Sequence, residues 1–135
     1  MTNSSMTHCT TTQDENILVV TITADQIRDH GLAYALRNEI FSQLEATHAE
    51  HVVIDARYLK SVGSIGFLAF LGVRRQLSEG RIIFCKLSDQ VQKMFATCQL
   101  IPTSGTVKTP FECTATLEEA LAKLKEKGEK KAKGT

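Results

Sequence analysis

The 135-residue sequence has no apolar run that approaches the roughly 18 residues needed to span a bilayer. Its opening stretch, MTNSSMTHCTTTQDEN, has neither the basic start nor the apolar core of a secretory signal. Cysteine is scarce and unpatterned, with no CxxC pair and no close spacing, at Cys9, Cys85, Cys98 and Cys113. Such usage indicates free thiols in a reducing compartment, with Cys85 and Cys98 acting as small buried hydrophobes. We therefore expect a cytoplasmic protein without membrane insertion.

Sequence motifs for phosphate binding and catalysis are also missing. Neither the Walker loop GxxxxGK[ST] nor a GxGxxG turn after the first strand occurs. Residues 63–66, GSIG, lack the glycine spacing of the nucleophile elbow GxSxG, and no histidine is placed to serve Ser64. His48 and His51 are three residues apart, but two ligands alone do not make a dedicated metal site. The sequence thus predicts no catalytic residue, no metal and no cofactor.

An excess of positive charge occurs only at the carboxyl end. Residues 123–135 hold six lysines and two glutamates, whereas the rest of the chain holds 10 basic and 13 acidic residues. A mildly acidic body is a poor surface for nucleic acid. The lysine-rich end has no aromatic residue for stacking and no apolar face for insertion. We expect no direct nucleic-acid contact and interpret residues 126–135 as a solvated tail.

Short apolar runs alternate along the chain with helical stripes. Three β-branched or apolar runs predict buried strands, at 16–23, 51–56 and 81–87. Two segments with helical apolar stripes predict helices, at 32–44 and 64–77. Ser88 is a candidate N-cap of a third helix, and Thr116 with Glu119 forms a capping box for a fourth. A weak strand is predicted around 106–111, where Pro110 limits it to an edge or a strand end.

Regular alternation of strands and helices predicts an α/β domain. Its sheet should be mostly parallel, with four to five strands and about four helices. Residues 1–13 are almost entirely polar and cannot bury enough apolar surface to offset the entropy of ordering. The predicted organisation is a flexible arm at 1–13, one domain at 14–125 and the tail at 126–135.

Residues 51–100 carry a distinctive order of parts. An apolar strand ends in Asp55, a loop follows, and the turn at residues 63–66 opens an apolar helix. A glycine turn, an apolar strand and the helix start at Ser88 come next. This order resembles the STAS domain, the fold of bacterial anti-sigma factor antagonists. The resemblance extends over about residues 14–125 and implies the STAS fold.

The resemblance also implies a function for the turn. In that family the turn serine, Ser64 here, is phosphorylated by a partner that is both serine kinase and anti-sigma factor, and the phosphate abolishes binding. The chain is then expected to be a non-enzymatic regulator of transcription whose partner is a serine kinase of histidine-kinase-like ATPase type. The implied partner-binding residues are Gly63, Ser64, Ile65, Gly66, Phe67 and Leu68. A phosphate would add about −1.5 to −2 charge at pH 7, beside backbone N–H groups that stabilise anions.

Two residues of the turn depart from the family pattern. Gly63 stands where the family has Asp, and Ile65 where it has Ser or Thr. Because Gly63 cannot orient an acceptor for a kinase, the alternative is a constitutive, non-phosphorylated STAS subunit of a transporter ATPase or signalling assembly. A small α/β enzyme or ligand-binding domain is a third class, since fold does not determine function. Either Asp25 or Asp29 matches an acidic residue that the family often places before the first helix.

The helix at 64–77 has more apolar residues than one buried face needs. In one interpretation neighbouring helices cover both of its sides. In the other, Ile65, Leu68 or both stay partly exposed around Ser64 and form a hydrophobic partner site with an electrostatic switch at its centre. A purely structural role for Ser64 is that of an N-cap, worth about 1 kcal/mol to the helix. The two roles of Ser64 are compatible.

Overall fold

The computed structural model describes residues 8–77, 79–102 and 109–134, and within the last range the side chains up to Lys125. Its strands are β1 (Cys9–Asp14), β2 (Ile17–Ile22), β3 (Gln26–Ile27), β4 (His51–Asp55), β5 (Ser61–Val62), β6 (Ile82–Cys85) and β7 (Glu112–Thr114). Its helices are α1 (His30–Thr47), α2 (Ser64–Gln76), α3 (Asp89–Thr97) and α4 (Leu117–Gly134). The alternation predicted from the sequence is confirmed.

A five-stranded sheet forms the centre of the molecule, in the order β1-β2-β4-β6-β7. Only β1 is antiparallel to its neighbour, and the other four strands are parallel. A second, two-stranded parallel sheet joins β3 to β5. The predicted mostly parallel sheet of four to five strands is therefore correct.

Both faces of the central sheet are covered, because the side chains of β4 alternate between them. Val52 and Ile54 point to the face packed by α1, α2 and α3, whereas Val53 points to the face packed by α4. Four phenylalanine rings fill the larger core in mostly edge-to-face pairs: Phe70, Phe84, Phe95 and Phe111. Three helices thus share one face, which places the start of α2 beside α1 and α3.

The predicted arm at residues 1–13 is wrong from residue 9 onward. Cys9–Asp14 pair with β2 through a tight turn in which Glu15 has φ 57°. Threonines are β-branched and suit an edge strand that buries one face, and Cys9 supplies the buried contact at 2% exposure. The strand was not predicted because few of its residues are apolar. Backbone hydrogen bonds to β2 hold it in place. Residues 1–7 lie outside the described residues.

The boundaries at the carboxyl end also differ from the predictions. The last strand is Glu112–Thr114 rather than 106–111, and of that expected range residues 106–108 lie outside the described residues. As expected, this strand is at an edge of the sheet. The helix α4 continues to Gly134, so the predicted tail at 126–135 is largely helical backbone. Lysine, glutamate and alanine make up most of this stretch and have high helix propensities.

Candidate functional site

The turn before α2 differs in one detail from the sequence prediction. Gly63, with φ −89° and ψ 178°, is the N-cap, and no side chain caps the helix. Its carbonyl oxygen accepts hydrogen bonds from the N–H groups of Gly66 (3.0 Å) and Phe67 (3.2 Å). Ser64 is therefore the first helical residue, and the prediction that it acts as N-cap is wrong. Its side chain is exposed.

The small β3–β5 sheet sets the position of this turn. The N–H of Gly63 donates to the carbonyl oxygen of Ile27 (2.8 Å), and the N–H of Lys60 donates to the carbonyl oxygen of Asp25 (2.7 Å). These bonds tie the segment before α1 to the segment before α2. Asp29 caps α1 by accepting from the N–H of Leu32 (3.2 Å), whereas Asp25 contributes a backbone oxygen. The two aspartates before α1 therefore have different structural roles.

Packing restricts the two glycines of the turn to different degrees. A Cβ at Gly66 would lie 2.7 Å from Cγ1 of Val62 and 2.9 Å from Cγ2 of Ile27, closer than real Cβ atoms approach. A Cβ at Gly63 would meet only ordinary contacts, the nearest being Cα of Arg28 at 3.7 Å. Packing therefore requires Gly66, while the space at Gly63 admits a Cβ.

The first turns of α2 present apolar side chains to solvent. Leu68 is 60% exposed, and Ile65 and Phe67 are half-buried. The ring of Phe67 is held edge-to-face against Phe95, with centroids 5.1 Å apart. The neighbouring helices therefore do not cover both sides of α2, and the exposure expected around Ser64 is observed.

An open groove runs beside the turn, between α2 and α3. It encloses about 390 Å³ and is lined by Val62, Phe67, Lys93, Met94, Thr97 and Cys98. The predicted burial of Cys98 is wrong, because this residue ends α3 at the surface, whereas Cys85 is buried as expected. The groove is mostly apolar with one lysine at its rim. It extends the exposed apolar surface around Ser64.

Asp55, which ends β4, stabilises the loop that leads to the turn. Its carboxylate is 1% exposed and forms an ion pair with Arg57 (2.8 Å), with Lys86 Nζ 3.8 Å away. Burial raises the pKa of this carboxyl, but the hydrogen bonds and charges of Arg57 and Lys86 outweigh burial and hold the pKa below its usual value. Asp55 is already neutralised by these partners, which indicates a structural role.

The described part of the chain offers little for metal or membrane chemistry. Among its residues no three His, Cys, Asp or Glu side chains are grouped so that they could hold a metal ion. Nor does this part contain a helix with the length and apolar character to cross a membrane.

A second cavity, of about 490 Å³, lies at the far end of α2 and includes His51 and Gly80 but no residue of the turn.

Comparison with known proteins places these features in context. The family model of the STAS domain matches residues 8–126. The anti-sigma factor antagonist SpoIIAA has a similar structure in its unphosphorylated form (19% identity, TM-score 0.62, 87% of this chain and 97% of that one) and, from Bacillus, in its phosphorylated form (21%, 0.62, 86% and 98%). A variant of Moorella thermoacetica RsbS (14%, 0.67, 91% and 99%) and a chain of the stressosome (13%, 0.61, 88% and 98%) are also similar. No curated protein matches the sequence.

Proposed function

The chain belongs to the STAS domain family, and on that premise we propose that it is a regulator that binds an anti-sigma serine kinase of histidine-kinase-like ATPase type. The binding surface is the Ser64 turn with the first turns of α2. The observation that carries this proposal is the joint exposure of Ser64 and Leu68, four residues apart and so on the same side of α2. The chain acts by binding rather than by catalysis.

Phosphorylation of Ser64 would switch this binding off. The unmodified turn offers a small hydroxyl among the apolar side chains of Ile65 and Leu68, which a partner can cover. A phosphate adds about −1.5 to −2 charge at pH 7, and covering that charge carries a large desolvation cost. The start of α2 tolerates the added charge, because its free N–H groups favour an anion. The modification therefore disrupts the partner's contact and leaves the fold intact. The similar protein SpoIIAA is known in a phosphorylated form.

A second candidate function is a constitutive STAS subunit of a signalling assembly or transporter ATPase, in which Ser64 is never modified. Gly63 favours it, because the residue before Ser64 has no acidic side chain. The neighbouring residue that packs against Gly63 is Arg28, with its Cα 3.7 Å from the position of an added Cβ. The similarity to a chain of the stressosome, described as a signal integration and transduction hub, also supports this alternative.

The test compares the affinities of four purified proteins for the histidine-kinase-like ATPase encoded nearest to this gene. These are the unmodified chain, Ser64→Ala, Ser64→Asp and the control Ser42→Asp, which adds the same charge to an exposed residue of α1. We expect Ser64→Ala and the control to bind like the unmodified chain, and Ser64→Asp to bind at least about tenfold more weakly. Incubation with ATP, followed by intact-mass analysis and fragmentation, should locate one phosphate at Ser64.

Other outcomes separate the two functions. Equal affinities of Ser64→Ala and Ser64→Asp, together with no phosphate on Ser64, would exclude the switch and support the constitutive subunit. Failure of the unmodified chain to bind the ATPase would exclude this kinase as the partner.

A further inference from the structure

Arg37 on α1 is half-buried, with its guanidinium beside two aromatic rings. Its guanidinium carbon is 4.9 Å from the ring centroid of Tyr34 and 5.4 Å from that of Phe41. Its side-chain hydrogen bond is a long one, from Nη2 to Oδ1 of Asn38 at 3.4 Å, and its buried Nε has no acceptor among the described residues. No carboxylate in the described part of the chain forms an ion pair with it. The two rings thus hold a cation whose hydrogen-bonding capacity is largely unused.

Gly72 on α2 leaves room for the side chain of Arg37. A Cβ at Gly72 would lie 3.2 Å from Cδ of Arg37, so the arginine stem lies across the bare backbone of α2. Nine residues earlier in each segment, just before the two helices begin, a Cβ at Gly63 would lie 3.7 Å from Cα of Arg28. The equal spacing shows that α1 and α2 run side by side in the same direction and in step.

Each of the two helices carries an exposed apolar side chain near this contact. Tyr34 precedes Arg37 by one helical turn and is 44% exposed, and Leu68 precedes Gly72 by one turn and is 60% exposed. Each lies about one helical turn before the contact of Arg37 with Gly72. We call Tyr34, Arg37, Leu68 and Gly72 the α1–α2 face. This face adjoins the Ser64 turn, because Ser64 precedes Leu68 by one further helical turn.

We propose that the α1–α2 face is a second contact region for the kinase, and that it receives an apolar segment carrying one acidic side chain. Aliphatic side chains of that segment cover Tyr34 and Leu68, and its carboxylate pairs with the guanidinium of Arg37. Charge complementarity supports this occupant, since Arg37 is cationic, positioned by two rings and unpaired within the described chain. The inference rests on the proposed function and goes beyond it by adding α1 to the interface and by naming the partner's chemistry.

The experiment measures binding of the same ATPase to variants of the full chain. Arg37→Glu and Tyr34→Ala should each weaken binding by about 10- to 100-fold, and Arg37→Lys by an intermediate factor because it keeps the charge but loses the planar fork. The controls Glu45→Ala and Gln76→Ala alter exposed residues at the far ends of the same helices and should bind like the unmodified chain. Binding of the unmodified chain should weaken with added salt more steeply than binding of Arg37→Gln.

The possible outcomes distinguish this proposal from the proposed function. If Ser64→Asp weakens binding while Arg37→Glu and Tyr34→Ala bind like the unmodified chain, the α1–α2 face is not a contact region and the Ser64 function stands. If the ATPase does not bind the unmodified chain, both proposals are wrong. Thermal melts verify that each variant is folded. Should Arg37→Glu lose stability through its contact with Gly72, the exposed Tyr34→Ala variant decides the question.

Discussion

Gly66 of α2 and Ile27 of β3 are packed so closely that one added methyl group does not fit between them. A Cβ at Gly66 would lie 2.9 Å from Cγ2 of Ile27 and 3.1 Å from its carbonyl oxygen. That same oxygen accepts the hydrogen bond from the N–H of Gly63. The contact therefore determines where α2 begins, and with it the position of Ser64.

Replacement of Gly66 by alanine should displace α2 from β3. We expect Gly66→Ala to lower the free energy of unfolding by about 1–3 kcal/mol, because overpacking forces a backbone shift that outweighs the higher helix propensity of alanine. Urea denaturation measures the effect. Gly63→Ala is the matched control, since its Cβ meets only ordinary contacts. Equal stability of Gly66→Ala and the unmodified protein would show that this contact does not constrain the helix.

Introduction of the family's aspartate at position 63 should strengthen the start of α2. In Gly63→Asp the carboxylate can accept from the free N–H groups of the first turn, and the loss of glycine reduces the entropy of the unfolded chain. We expect a gain of about 0.5–1.5 kcal/mol in urea denaturation, larger than that of Gly63→Ala, which lacks the oxygen. If Ser64 is a kinase substrate, Gly63→Asp should also be phosphorylated faster. A variant no more stable than Gly63→Ala would contradict the capping role.

The ion pair of Asp55 predicts a pH-dependent contribution to stability. The folded-state pKa of this carboxyl is below its unfolded value, so its contribution is present above the unfolded pKa and is lost as pH falls through the folded pKa. Asp55→Asn should therefore lower the free energy of unfolding at pH 7 by on the order of 1–3 kcal/mol, and the difference should shrink below about pH 4.

The control for this prediction is Asp25→Asn. The side chain of Asp25 is exposed, and only its backbone oxygen is bonded across the β3–β5 sheet. Its replacement should change stability by less than about 0.5 kcal/mol. If the loss of unfolding free energy in Asp55→Asn did not change with pH, the effect would come from packing rather than from charge.

The cysteines should differ widely in reactivity. Burial, with the nearby Glu39, raises the pKa of Cys9 to about 12, and burial, with the nearby Asp55, raises that of Cys85 to about 11. Cys98 is exposed. We expect a thiol reagent at pH 7 to modify Cys98 first and to leave Cys9 and Cys85 unmodified in the folded protein, because the thiolate is the reactive form. Peptide mapping measures the order, and protein denatured in urea should react at all four cysteines. Equal rates at Cys9 and Cys98 would contradict the burial of Cys9 in β1.

Features that depend on near neighbours in the chain were predictable. The strand β4 and the helices α1 and α2 follow from apolar spacing, and the Ser88 cap is confirmed by its bond from the N–H of Val91 (3.2 Å). Thr116 likewise accepts from the N–H of Glu119 (3.1 Å), as the capping box predicts. Elements that depend on remote partners were missed. The strand β1 is polar and is held by pairing with β2, a relationship that composition does not encode.

The sequence by itself determined the fold family, the location of the Ser64 turn and the presence of Gly63 in it, because these are recorded in residue type and local spacing. Only the tertiary structure decided which side chains remain at the surface. An apolar residue on a helix becomes buried or exposed according to the neighbours that segments distant in the chain supply. In this way Leu68 remains open to solvent, and the side chain of Arg37 lies across Gly72 with no ion pair to any described carboxylate.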